Sequence, residues 1–197
     1  MRSQRILVLV EIALTVALSA VLSLLAVRLP INFAGGTVSF SMVPILVLAL
    51  RRGVGAGVLA GFLFGAIDLV IEPFFVAPIQ VLLDYGVAFG AVGLAGLGST
   101  YFRRTFKRSA VAGVAVGVPF MVLGGLGRFA AAWTSGVVFF GANAPKDQPV
   151  WLYSIVYNSS YIVPSLLISI VAAAVILPVL ERALPVHEPD VKATVVS

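Results

Sequence analysis

Cysteine is absent from the 197 residues, and histidine occurs once, as His187. Without thiols there is neither a disulfide framework nor a thiolate metal site. His187 lies in a polar C-terminal stretch, which removes a Ser-His or Cys-His catalytic pair from the apolar part of the chain. Charge is scarce as well: 11% of the residues are Asp, Glu, Lys or Arg, against about a quarter in soluble domains. No G-x-x-x-x-G-K-[ST] phosphate loop occurs, so ATP hydrolysis by that device is excluded. No nucleophile–base pair or metal-ligand cluster stands in the apolar runs, and the expectation is that the protein is not an enzyme and needs no cofactor or metal. Nor is there an inverted repeat of the kind many secondary carriers use.

What fills the chain instead is apolar: 60% of it is hydrophobic, with a mean hydropathy of +1.11. This is the composition of an integral membrane protein, read as one domain over residues 1–180 with a polar tail over 181–197. Six apolar runs, at about 6–27, 38–50, 54–71, 79–97, 110–140 and 150–180, predict an all-α integral membrane protein with six transmembrane helices in a compact bundle. The second run is short for a full span. The third carries Gly53, Gly57, Gly61 and Gly65 every four residues, a spacing that lets a neighbouring helix approach closely. Pro119 and Gly124-Gly125 predict a kink in the fifth.

The formal net charge of +5 is read as a topology signal rather than a nucleic-acid surface. Alternate connections hold Arg51, Arg52, Arg103, Arg104, Lys107 and Arg108, and the terminal segments hold Arg2, Arg5, Arg182 and Lys192. The opposite side holds Arg28 and Lys146. The excess predicts both termini on the cytoplasmic side, with loops at about 28–37, 72–78 and 141–149 outside and 101–109 inside.

One ionisable residue organises the candidate site. Asp84 sits in the apolar run from Gln80 to Gly96, where a carboxylate needs a partner or a ligand. Phe139 and Phe140 close the fifth helix at the same end of the bundle, and Tyr153, Tyr157 and Asn158 occupy the first turns of the sixth. A carboxylate among aromatic faces suits a flat organic cation, and an amide can read a heteroaromatic edge. Two alternatives stand beside this. Asp84 could pair with Arg128 inside the membrane, and the tyrosines could be interfacial anchors, as Trp151 is expected to be.

Several stretches, in order from residue 11 to about 160, resemble the thiamine-specific S component (ThiT or YuaJ family) of energy-coupling factor transporters. They are Glu11-Ile-Ala-Leu-Thr-Val-Ala17, Ser41-Met-Val-Pro44, Leu50-Arg-Arg-Gly53, the Ala56-Gly57 and Ala60-Gly61 pairs, and Gln80-Val-Leu-Leu-Asp-Tyr85 with Ala88-Phe89. Arg128-Phe129, Gly136-Val-Val-Phe-Phe-Gly141, Ala144-Pro-Lys146, Tyr153 and Asn158 complete the set. The resemblance implies a bacterial plasma-membrane subunit that takes thiamine from outside and docks, without hydrolysing anything itself, on a transmembrane coupling subunit driven by two ATPases. It implies that Asp84 faces the thiazolium and pyrimidine, that Tyr85 helps, and that Tyr153 and Asn158 hold the pyrimidine. Ala13 and Ala17 would meet the coupling subunit.

The chain departs from the family pattern in places. Ala132 stands where relatives have histidine, Phe140 where some have tryptophan, and Phe33 is the aromatic that the first outside loop offers. Trp133, next to Ala132, could replace the lost ring only if the helix were rotated. Specificity for another vitamin or a thiamine precursor, and autonomous secondary transport, remain the alternative functions.

Overall fold

The computed structural model describes residues 2–28 and 36–186. Within them the chain forms α1 (Arg2–Leu24), a short antiparallel pair β1 (Val27–Arg28) and β2 (Thr37–Val38), α2 (Met42–Arg52) and α3 (Val54–Ile71). It continues as α4 (Pro78–Phe106), α5 (Ala110–Phe139) and α6 (Val150–Ala183). Among the described residues, five of these six helices are long and apolar enough to cross a membrane.

The sixth is α2, and its shortness shapes the molecule. Eleven residues make a rod of about 17 Å, roughly half the hydrocarbon thickness. Its residues are apolar on every side and nearly all buried, the pattern of a helix surrounded by protein. It touches each of the five long helices. The run predicted to be helical from residue 38 instead enters the bundle as non-helical chain. The Ser39 amide donates to Ser165 Oγ at 3.2 Å, and the Ser39 and Ser41 hydroxyls bond each other at 2.7 Å. Ser165 in turn donates to the Tyr161 carbonyl, one turn below Pro164. Irregular backbone at such depth is tolerated where protein satisfies it, and the serine hydrogen bonds do so here; Gly36 and Thr37, just before it, line the cavity.

The glycine repeat of α3 packs as its spacing suggests. A Cβ on Gly61 would collide with the Phe89 carbonyl, and one on Gly65 with the Tyr85 carbonyl. From the other side, Gly93 and Gly96 abut the α3 backbone at Gly57-Val58 and Gly53-Val54. Thus α3 and α4 meet backbone to backbone. Along this contact α4 is irregular: Leu82–Val87 is a π-helical turn and Gly93–Gly98 is 3-10.

The connection expected at 101–109 is mostly helix. Ser99–Phe106 continues α4 because Phe102 is fully buried and packs against Phe106 at 5.5 Å; Arg104 is exposed, whereas Arg103 turns inward to α2. Only residues 107–109 turn. Likewise α6 runs past residue 180 to Ala183, held by Arg51–Glu181 at 2.8 Å and by Arg51 to the Leu184 carbonyl. Arg52 forms a bidentate pair with Glu11 of α1. These ion pairs, with Arg103 bonded to the Arg51 carbonyl, gather at one end of the bundle. The cavity opens toward the other end.

Candidate functional site

The space above the short α2 is a cavity of about 420 Å³, within the range of small-molecule sites. Its walls come from the 36–37 segment, α3, the 72–74 connection, and the cavity-end halves of α4, α5 and α6. Asp84, Tyr85, Phe140, Tyr153, Tyr157 and Asn158, all expected from the sequence, line it together. Phe139 is not part of the wall, and Phe33 lies outside the described residues.

Asp84 and Tyr85 sit on the π-helical turn of α4. Gln80, completely buried, donates to Asp84 Oδ2 at 2.7 Å and accepts from the Val76 amide at 3.0 Å. The Tyr85 hydroxyl donates to the Glu72 carbonyl at 2.6 Å and accepts from the Phe74 amide at 3.1 Å. Its ring faces the cavity while its hydroxyl staples the 72–77 connection. Phe74, fixed by that staple, stacks on Phe140 with ring centroids 5.6 Å apart.

Three tyrosines spaced four apart, 153, 157 and 161, form an aromatic stripe on α6 with successive centroids 6.1 and 5.7 Å apart. The Tyr157 hydroxyl accepts from the Gly36 amide at 3.0 Å, tying the chain that enters above α2 to this stripe. Asn158 is oriented from both sides. Its amide nitrogen donates to the Ser154 carbonyl at 2.9 Å and its oxygen accepts from Tyr161 at 2.7 Å, so a locked asparagine, rather than a free one, faces the cavity.

Arg128 and Asp84 form no ion pair. The guanidinium lies instead over the Phe89 ring, 4.2 Å from its centroid, and both residues line the cavity. Asp68, also in the wall, accepts from Ser23 of α1 at 2.6 Å. Ala132 contributes a small patch of wall. Trp133 does not fill the place: its indole N–H donates to the Trp151 carbonyl at 3.1 Å, away from the cavity.

Sequence reasoning left Gln80, Tyr161 and Phe89 out of the site. The first two carried a signal, each standing four residues from a chosen residue, Asp84 or Tyr157, and therefore on the same helical face. Phe89 had none, because an aromatic in an apolar run reads as core. Among the described residues no group of three His, Asp or Glu is placed to hold a metal.

The geometry is that of a polytopic α-helical membrane protein with a small-molecule-sized, aromatic and acidic cavity near one end of its spans. A family model described as "Thiamine transporter protein (Thia_YuaJ)" matches residues 9–185. The chain is 39% identical over 169 residues to the thiamine transporter ThiT of Bacillus subtilis, covering 85% of this chain and 88% of that one. It is 35% identical over 147 residues to ThiT of Lacticaseibacillus paracasei, covering 72% and 73%. A solved structure of ThiT from Listeria monocytogenes superposes with a TM-score of 0.79 at 28% identity, covering 92% of this chain and 97% of that one. The chain belongs to the thiamine transporter family, a family of transporters rather than enzymes.

Proposed function

We propose that the chain is the thiamine-binding subunit of an energy-coupling importer, taking the vitamin from outside and passing it inward through a separate coupling subunit driven by two ATPases. The observation that carries the binding half is the cavity: a carboxylate held by Gln80, with aromatic rings on several sides, matches a thiazolium cation joined to a flat aminopyrimidine. Family membership supports thiamine as the ligand. The importer half is supported by the missing phosphate loop and by the surface of α1, where Ala13 and Ala17 are exposed, one turn apart, among exposed Leu9, Leu14 and Leu18. The excess of basic residues at the ion-paired end supports placing that end, and both termini, in the cytoplasm of a bacterial plasma membrane.

In this reading Asp84, Tyr85, Tyr153, Asn158, Phe140 and Tyr157 touch the ligand. Phe33 and Phe139 remain candidates on the sequence alone. Titration of purified protein with thiamine by calorimetry tests the assignment. Tight, saturable one-to-one binding is expected; no heat with thiamine, but saturation by another vitamin or by the isolated pyrimidine, would reassign the ligand. That second reading has one feature in its favour: a small side chain, Ala132, lines the cavity where the resemblance drawn from the sequence implies a ring.

A further inference from the structure

Arg128 is a buried cation of the cavity wall that the thiazolium–carboxylate match leaves without a task. It is 9% exposed, its guanidinium rests on Phe89 at 4.2 Å, and its Nη1 has no hydrogen-bond partner among the described residues. A buried donor left unpaired is costly, more so when it carries charge. Stacking on a ring face holds the guanidinium plane but satisfies none of its N–H groups, which point outward in that plane. Neither nearby carboxylate pairs with it: Asp84 takes its hydrogen bond from Gln80 and Asp68 takes its own from Ser23, and neither lies within ion-pair distance of the guanidinium.

The wall carries the acids Asp68, Glu72 and Asp84 and one guanidinium, that of Arg128. A cationic ring is favoured beside Asp84, whereas Arg128 disfavours a cation placed directly against it and offers a donor to an uncharged acceptor. Resting on the thiamine-binding reading above, we propose that Arg128 is a specificity-determining residue: Nη1 donates to a neutral acceptor of the ligand and so selects a thiazolium carrying that acceptor over a bare organic cation. Two parts of thiamine offer one, the ring nitrogens of the aminopyrimidine and the hydroxyl of the side chain.

The experiment titrates purified wild type, Arg128→Met and Arg128→Lys with three compounds: thiamine, the thiazolium bearing benzyl in place of the pyrimidinylmethyl group, and thiamine lacking its hydroxyl. Wild type is expected to prefer thiamine to one of the two analogues by about 10- to 100-fold, the worth of a hydrogen bond to a charged donor. Arg128→Met should lose about that factor for thiamine while binding the discriminated analogue nearly as wild type does. Which analogue behaves so identifies the acceptor. Arg128→Lys keeps the buried charge but not the stacked fork, and should fall between if folding requires a cation there. An equal loss for all three compounds, or discrimination that survives in the variants or is missing in wild type, overturns the proposal. A wild type that does not bind thiamine at all removes the ligand assignment itself, and this inference with it.

Discussion

Gln80 and Asp84 stand one helical turn apart on α4, and the fully buried amide donates a 2.7 Å hydrogen bond to the carboxylate. The same amide oxygen accepts from Val76 and its nitrogen reaches the Phe74 carbonyl at 3.4 Å. One side chain thus orients both the acid and the connection that covers it. Gln80→Leu should take the amide donor from Asp84 and the tether from the exposed Val76 segment, at about 0.5–1.5 kcal/mol for each hydrogen bond lost. Calorimetry should show roughly a tenfold or greater loss of thiamine affinity, with faster amide exchange over residues 74–77.

Removing the charge itself should cost more. Asp84→Asn is close in shape and keeps an acceptor for Gln80, so folding is expected to survive. Breaking a buried pair between a ligand cation and its counter-ion costs about 2–5 kcal/mol, equivalent to roughly 30-fold to several thousandfold in dissociation constant. Thiamine affinity unchanged in the variant would mean that the cation is held elsewhere.

A third expectation concerns how the site is positioned. The π-helical turn bearing Asp84 and Tyr85 is pressed against Gly65, whose missing side chain admits the Tyr85 carbonyl. Gly65→Ala should push that turn away, destabilising the protein by about 1–3 kcal/mol through overpacking and weakening thiamine binding as well. Gly55→Ala is the control, because nothing lies within 4 Å of a Cβ placed there. Thermal melts in detergent and thiamine titrations on the same preparations separate the two effects.

Where the chain punctuates itself, the sequence was readable. Gly53 and Glu72-Pro73 bracket α3, and the observed Val54–Ile71 falls between them. Asp84, Tyr153, Tyr157 and Asn158, which line one cavity, were legible as a cluster because polar groups in apolar spans are conspicuous. The non-helical chain at 39–41 was not, since its apolar neighbours continue the hydrophobic run. What unwinds it is the tertiary bond from Ser39 to Ser165, 126 residues away. The helical extension at 99–106 was hidden by its basic residues, which look like a surface loop until Phe102 is seen buried between helices. Arg128 could be placed inside the membrane from sequence, but its choice of Phe89 over Asp84 is set by packing between α4 and α5.

The last prediction separates ligand capture from delivery. Ala13 and Ala17 lie on the exposed side of α1, while Ile12, Thr15, Val16 and Ser19 face the bundle. A bulky residue at 13 therefore meets lipid or a partner, not the core or the cavity. If small side chains there let a partner helix approach closely, Ala13→Trp should leave thiamine affinity within about twofold of wild type, since the change is remote from the cavity. In cells that depend on this protein for the vitamin, the same substitution should abolish uptake by blocking the partner's approach. Uptake at the wild-type rate would place the coupling surface on another helix. Loss of binding in the purified variant would instead show that α1 transmits its position to the cavity, for which the Ser23–Asp68 hydrogen bond provides a direct path.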